Sequence, residues 1–313
     1  MWALVYSPRF QDHDPGENHP EAPWRAEAVV RFLTEGPLAS EMTLVAPSLA
    51  PFAWLKAVHE EGYLMAFEEA CLRLKSHFHG DDNGICFDTF EVARLAAGAV
   101  IRAVDLVENE GYSVVFCPVR PPGHHAGPAR AQGFCFLNNV AIGVRYWQEN
   151  YSLKRILILD WDAHHGNGLQ EVFYREKEVF YISFHEDPRL SFPGTGFAEE
   201  RGAGAGRGYT LNLPLKMGTG DREYLKLLRE VIFPQVAAFS PQGIIIAAGF
   251  DAHRDDDFSF LNLTSQGFKA LAAEVRAWSE KFSAPVISVL EGGYEPGALL
   301  ASAEAHLCGL LGH

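Results

Sequence analysis

Four short stretches of this chain concentrate carboxylates, imidazoles and a phenol, the groups that ligate metals and exchange protons. The densest is Leu159-Asp160-Trp161-Asp162-Ala163-His164-His165-Gly166-Asn167-Gly168. Two carboxylates and two imidazoles packed this closely are costly to bury without a cation. Asp162 and His164, two apart on an extended segment, can point the same way. A metal site explains these residues better than a loop of hydrogen-bonded turn residues does. Arg120-Pro-Pro-Gly-His124-His125-Ala126 delivers two adjacent imidazoles from a stiff turn, and Gly249-Phe-Asp251-Ala-His253 offers a further metal carboxylate. In Glu291-Gly-Gly-Tyr294 two glycines let the backbone come close and aim a phenol. One such stretch alone is usually structural, but four chemically matched ones are not explained by packing.

Each stretch follows a short apolar run rich in β-branched residues. The runs predict strands at Trp2–Tyr6, Ser113–Cys117, Arg155–Leu159, Val179–Phe184, Tyr209–Leu213, Gly243–Ala248 and Pro285–Leu290. Helical periodicity lies between them, at Pro23–Leu33, Phe90–Val107, Asn138–Glu149, Asp221–Phe239, Thr264–Phe282 (with Thr264 as N-cap) and near Gly297–Leu311. Strands such as Gly243-Ile-Ile-Ile-Ala-Ala are apolar on both faces, as in a parallel sheet covered by helices. The alternation predicts an α/β fold with a mostly parallel central sheet and helices on both faces. All four stretches then sit at carboxyl ends of strands, the edge where such sheets bind ligands. No Pro/Ser-rich linker or internal repeat divides residues 1–313, which reads as one domain.

Composition sets outer bounds. The chain has 313 residues, is 48% hydrophobic and 21% charged, and carries a formal net charge of −14. It is too apolar for disorder, and the acidic balance argues against a nucleic-acid binder. Five scattered cysteines, Cys71, Cys86, Cys117, Cys135 and Cys308, never spaced Cys-x-x-Cys, argue against a disulfide framework and for a reducing compartment. With no signal-like N-terminus and no membrane-length apolar stretch, the expectation is a cytoplasmic protein. Gly202-Ala-Gly-Ala-Gly-Arg-Gly208 fits no phosphate-loop spacing and reads as a turn. His77-Phe-His79-Gly-Asp-Asp-Asn-Gly84 reads as a solvated loop.

In combination these stretches resemble the histone deacetylase and acetylpolyamine amidohydrolase family, whose fold is arginase-like. The likeness begins at Asn18-His-Pro-Glu-Ala-Pro-Trp-Arg25 and continues through Asp88-Thr-Phe-Glu-Val-Ala-Arg-Leu-Ala-Ala-Gly98 and Gly133-Phe-Cys135. It extends to Phe192-Pro-Gly-Thr-Gly196 and Asn212-Leu-Pro214. Asn167 follows the class II pattern. The resemblance implies one zinc ion held by Asp162, His164 and Asp251. It implies proton transfer by His124 and His125, with His125 as general base and acid, and orientation of the pair by Asp160 and Asn167. Tyr294 would donate to the oxyanion. Gly133, Phe134 and Phe192 would form a narrow tunnel for an acyl-lysine stem, Asp82 and Phe258 its rim, and Arg25 would sit in an acetate channel. A structural potassium would lie on Asp160, Asp162, His164, Ser183 and Phe184, and a second ion near Phe173 and Val179.

The implied reaction is removal of acetyl or acyl groups from Nε-acyl-lysine or a related amine. Acetylated polyamines are the alternative substrate, and a catalytically silent acyl-lysine binder is the alternative of another class. A binuclear ureohydrolase would need an aspartate where Gly166 stands. Nucleic acid and membrane are not expected partners, and a homo-oligomer stays open. Asp255-Asp256-Asp257 departs from the family's usual Gly-Asp-Pro run.

Overall fold

The computed structural model describes residues 2–313. They form one eight-stranded, fully parallel sheet. Its strands are β1 (Trp2–Val5), β2 (Met42–Val45), β3 (Val114–Cys117), β4 (Ile156–Asp160), β5 (Val179–Glu186), β6 (Thr210–Leu215), β7 (Gly243–Ala248) and β8 (Val286–Leu290). Their spatial order is β2-β1-β3-β8-β7-β4-β5-β6. The four strands that precede the chemically loaded stretches, β3, β8, β7 and β4, are therefore consecutive at the centre of the sheet.

Side chains alternate across a strand, so apolar strands feed two cores. Ile156 and Ile158 of β4, Ile245 of β7 and Ile287 of β8 face one core. It is covered by α2 (Phe52–Lys56), α3 (Glu61–Leu72), α4 (Thr89–Asn109) and α5 (Asn139–Tyr151). Leu157, Leu159, Ile244, Ile246 and Val286 face the other. There the cover is α1 (Trp24–Glu35), α7 (Asp221–Leu227), α8 (Phe233–Phe239), α9 (Ser265–Phe282) and α10 (Pro296–Leu311). The short α6 (Asn167–Phe173) leads from the β4 loop towards β5.

The helix expected over Asp221–Phe239 is broken into α7 and α8 by a wider π turn at Leu228–Ile232. Pro234 explains the break, because it lacks an amide hydrogen and its ring clashes with the carbonyl four residues earlier in a regular helix. Thr264 caps α9 as expected, its hydroxyl accepting from Gly267 N. Among the described residues no helix is long and apolar enough to cross a membrane.

One core histidine gives a stability prediction. His306 of α10 is fully buried against Phe116, Trp161 and Phe250. Nε2 meets Ser288 Oγ at 2.8 Å, while Nδ1 has no partner among the described residues. Burial pushes its pKa down to about 3. The unfolded chain thus binds a proton that the native state excludes, and stability falls as pH drops through 6.5. His306→Leu is expected to flatten this loss relative to wild type by up to ~1.4 kcal/mol per pH unit between pH 6 and 4. Urea unfolding of both proteins across that range checks it, and parallel curves would refute it.

Candidate active site

At the carboxyl end of β4 the chain turns sharply, and its own backbone orients the carboxylates. Asp160 Oδ1 accepts from Asp162 N at 3.2 Å, and Asp162 Oδ1 accepts from His164 N at 2.9 Å. Asp162 Oδ2 accepts from Gly292 N at 2.8 Å, and Asp251 Oδ1 from Ala163 N at 2.9 Å. These bonds tie the β4, β7 and β8 loops together. They aim Asp162, His164 and Asp251 at one point, with ligand atoms within 4.8 Å of one another. His164 Nδ1 lies 3.2 Å from Asp162 Oδ1 and 2.9 Å from Asp251 Oδ2.

The electrostatics of this trio fit a divalent cation. Burial and the neighbouring Asp162 carboxylate push Asp251 up to about 7. Burial works against His164, yet Asp162 and Asp251 drive its pKa well above the ordinary imidazole value. Two buried carboxylates competing for one proton-bearing imidazole form a donor set that a cation satisfies, and aspartate oxygen with imidazole nitrogen suits zinc.

His124 and His125 lie beside the trio with their rings tilted at 46° and centroids 3.9 Å apart, but their partners differ. His124 Nδ1 is 3.2 Å from Asp160 Oδ2, a carboxylate that also accepts from Tyr181 OH at 2.9 Å. His125 Nδ1 is 2.9 Å from Asn167 Oδ1, a neutral acceptor. Burial lowers the pKa of His124, but Asp162, Asp160 and Glu291 outweigh it and push the group up to about 10. For His125, burial and the charge on His124 act together and hold the pKa well below the ordinary value. With Nδ1–H donating to Asn167 Oδ1, Nε2 of neutral His125 is left as an acceptor.

A cavity of about 200 Å³ lined by Asp82, His125, Gly133, Phe134, His164, Phe192, Phe258 and Tyr294 opens above these groups. The Phe192 ring meets His125 edge-on at 5.0 Å, and Phe134 meets Tyr294 edge-on at 5.9 Å. Gly133 has φ +55, and a Cβ there would lie 2.5 Å from the His125 ring and 2.8 Å from Phe192, so a side chain would plug the tunnel. The Phe258 ring lies 4.3 Å from that of Tyr294. Arg25 is fully buried behind Tyr294, 4.8 Å from its ring centroid. Nε donates to Gly293 O, Nη1 to Glu21 Oε1 and Nη2 to Glu291 O, which uses three of its five N–H donors. Asp160 at the end of β4 is the register partner of Ser183 on β5, with Phe184 next along that strand. Phe173 ends α6 and Val179 opens β5.

Several groups that shape the site were not singled out from sequence. Asp256, buried within the acidic run, accepts from Tyr294 N at 2.6 Å, Glu295 N at 3.0 Å and Phe258 N at 3.1 Å. This resolves the departure at Asp255–Asp257, because the middle carboxylate caps the Tyr294 loop. Asp82 accepts from Gly133 N at 3.0 Å, and Asn83 from Phe134 N at 2.9 Å, holding Phe134 at φ +67. The polar loop at 77–84 thus carries the tunnel rim. Residues 202–208 form a turn before β6, as expected.

The comparisons with known proteins agree with this geometry. A family model described as the histone deacetylase domain matches residues 19–310. The chain is 41% identical over 300 residues to a probable deacetylase of Archaeoglobus fulgidus, a match spanning 95% of this chain and 82% of that protein. It is 35% identical over 293 residues to a histone deacetylase-like amidohydrolase of Pseudomonas aeruginosa, spanning 93% and 75%. The crystal structure of the HDA15 HD domain matches with a TM-score of 0.95 at 33% identity, over 100% of this chain and 88% of that one. A likeness that runs through the sheet and all four of its loaded loops leaves one assignment, and the chain belongs to the histone deacetylase family.

Proposed function

We propose that residues 1–313 form a single catalytic domain, a zinc-dependent amidohydrolase that removes acetyl or related acyl groups from Nε-acyl-lysine or a similar acylated amine. One observation carries the reading. A donor set suited to a cation lies beside an aromatic-walled tunnel that His164 lines, next to an imidazole whose Nε2 is left to accept a proton. Asp162, His164 and Asp251 would hold one zinc ion. When bound, it polarises an acyl carbonyl and makes water acidic enough to ionise near pH 7.

The remaining steps belong to the chain's own side chains. His125 takes a proton from water through Nε2 and returns it to the leaving amine. His124, with Asp160 at its Nδ1, stands on the other side and is placed to stabilise the negative charge that develops. The Tyr294 phenol donates to the oxyanion, a contact of this kind being worth about 3 kcal/mol. Phe134 and Phe192 exclude water from the stem, and buried Arg25 suits a departing carboxylate. A structural potassium would use Asp160, Asp162, His164, Ser183 and Phe184, with a second ion near Phe173 and Val179. The ureohydrolase alternative is disfavoured by space as well as by residue type. A Cβ at Gly166 would lie 2.2 Å from Asp160 Oδ2, leaving no room for a bridging aspartate.

Phe258, 39% exposed at the rim, favours an apolar acyl-lysine stem over a polyamine, whose distal ammonium would want a carboxylate there. An acetyl-lysine peptide is expected to exceed acetylspermidine in kcat/KM, and Phe258→Glu to narrow the gap, an exposed ion pair being worth ~0.2–1 kcal/mol. The net charge of −14 attracts polycations only at low salt. Kinetics at both ionic strengths therefore check the reading. Acetylspermidine winning at high salt would refute the lysine preference, and hydrolysis of neither would favour an acyl-lysine binder.

A further inference from the structure

Glu291 is fully buried, and Oε2 accepts from two successive amides of the histidine turn, Gly123 N at 2.7 Å and His124 N at 3.1 Å. Oε1 is buried with no hydrogen-bond partner among the described residues. Residues 121 and 122 are prolines, so these are the first two amide hydrogens the turn possesses. The acceptors of the same turn are fixed separately. Leu169 N donates to His124 O at 3.1 Å, and Asn139 Nδ2 to Pro121 O at 3.0 Å. Arg25 Nη2 holds the backbone carbonyl of Glu291 at 2.7 Å, so the residue cannot drift from its place at the end of β8. A buried carboxyl half of which goes unsatisfied is an expensive way to fill space where leucine would fit the core. Its hydrogen-bond partners are the two amides that set where His124 and His125 stand.

We infer that Glu291 is a positioning residue, whose carboxyl oxygen accepts the Gly123 and His124 amides and thereby holds the two imidazoles in register with the Asp162–His164–Asp251 cluster. The catalytic consequence rests on the function proposed above. The hydrogen bonds themselves do not, and the test separates the two. Glutamine keeps an acceptor of the same reach, whereas leucine removes it.

In the zinc-loaded enzyme, Glu291→Leu is expected to lower kcat about 10- to 100-fold, the range that a small misplacement of a reacting group costs. KM should stay within about twofold, because the tunnel and rim are untouched. Glu291→Gln should recover most of the loss. Amide hydrogen exchange of folded protein supplies a readout independent of turnover, with Gly123 and His124 protected in wild type and in the glutamine variant and exposed in the leucine variant. Unchanged kcat in the leucine variant would overturn the inference, and so would a glutamine variant as slow as leucine. Unchanged protection would overturn it even if wild-type protein proved inactive on every acyl amide. Should the leucine variant fail to fold, the glutamine variant and Glu291→Ala carry the same comparison.

Discussion

Asp251→Ala is expected to abolish tight zinc binding and to lower deacetylase activity by about 10³-fold or more, the several kcal/mol a Lewis-acid centre provides. The carboxylate is fully buried and approaches the His164 ring at 2.9 Å. Its removal leaves one carboxylate and one imidazole, too few donors to retain a catalytic zinc against a chelator. Asp251 also accepts from Ala163 N, so alanine orphans a buried amide on the β4 loop. Asp251→Asn keeps that acceptor and isolates the ligand role. Metal analysis after dialysis against chelator should find one equivalent in wild type and none in either variant. Two catalytic equivalents in wild type, or zinc retained by the alanine variant, would defeat the mononuclear assignment.

What could be read from the sequence divides along physical lines. Strands buried on both faces announce themselves as continuous apolar runs, and each of the seven expected runs overlaps a strand. The strand without such a run is β2, at the sheet edge, where Leu44 is 54% exposed and alternation is lost. Helix α3 was legible in retrospect, with Tyr63, Leu64, Phe67, Ala70 and Cys71 buried at helical spacing. The metal and histidine groups stood out because their chemistry is concentrated within a few residues at strand ends. The supporting groups did not, because their partners are distant in sequence. Asp256 is flanked by two acidic residues of the same type, and only the fold shows that it is the buried one capping Tyr294. Glu291 reaches across 168 positions, and no local pattern marks such a bond.

His125→Ala should cost about 10²- to 10⁴-fold in kcat, the usual contribution of a positioned general base and acid, while zinc content and fold persist. The pH profile carries the sharper test. A general base works only when neutral, so wild-type activity should fall on the acid side as His125 takes a proton. That limb lies low because burial and the charge on His124 depress the pKa, and the Nδ1 partner, Asn167, carries no negative charge to offset them. Asn167→Asp would place a carboxylate where the amide oxygen now lies, and an adjacent negative charge favours imidazolium. The acid limb is then expected to move to higher pH in Asn167→Asp and to vanish in His125→Ala. The two variants separate the roles of the paired rings, since His124 already faces Asp160 and would not respond to position 167 directly. An acid limb unmoved by either substitution would transfer the base role to His124. It would also mean that the different partners of the two imidazoles, aspartate for one and asparagine for the other, do not divide the work between them.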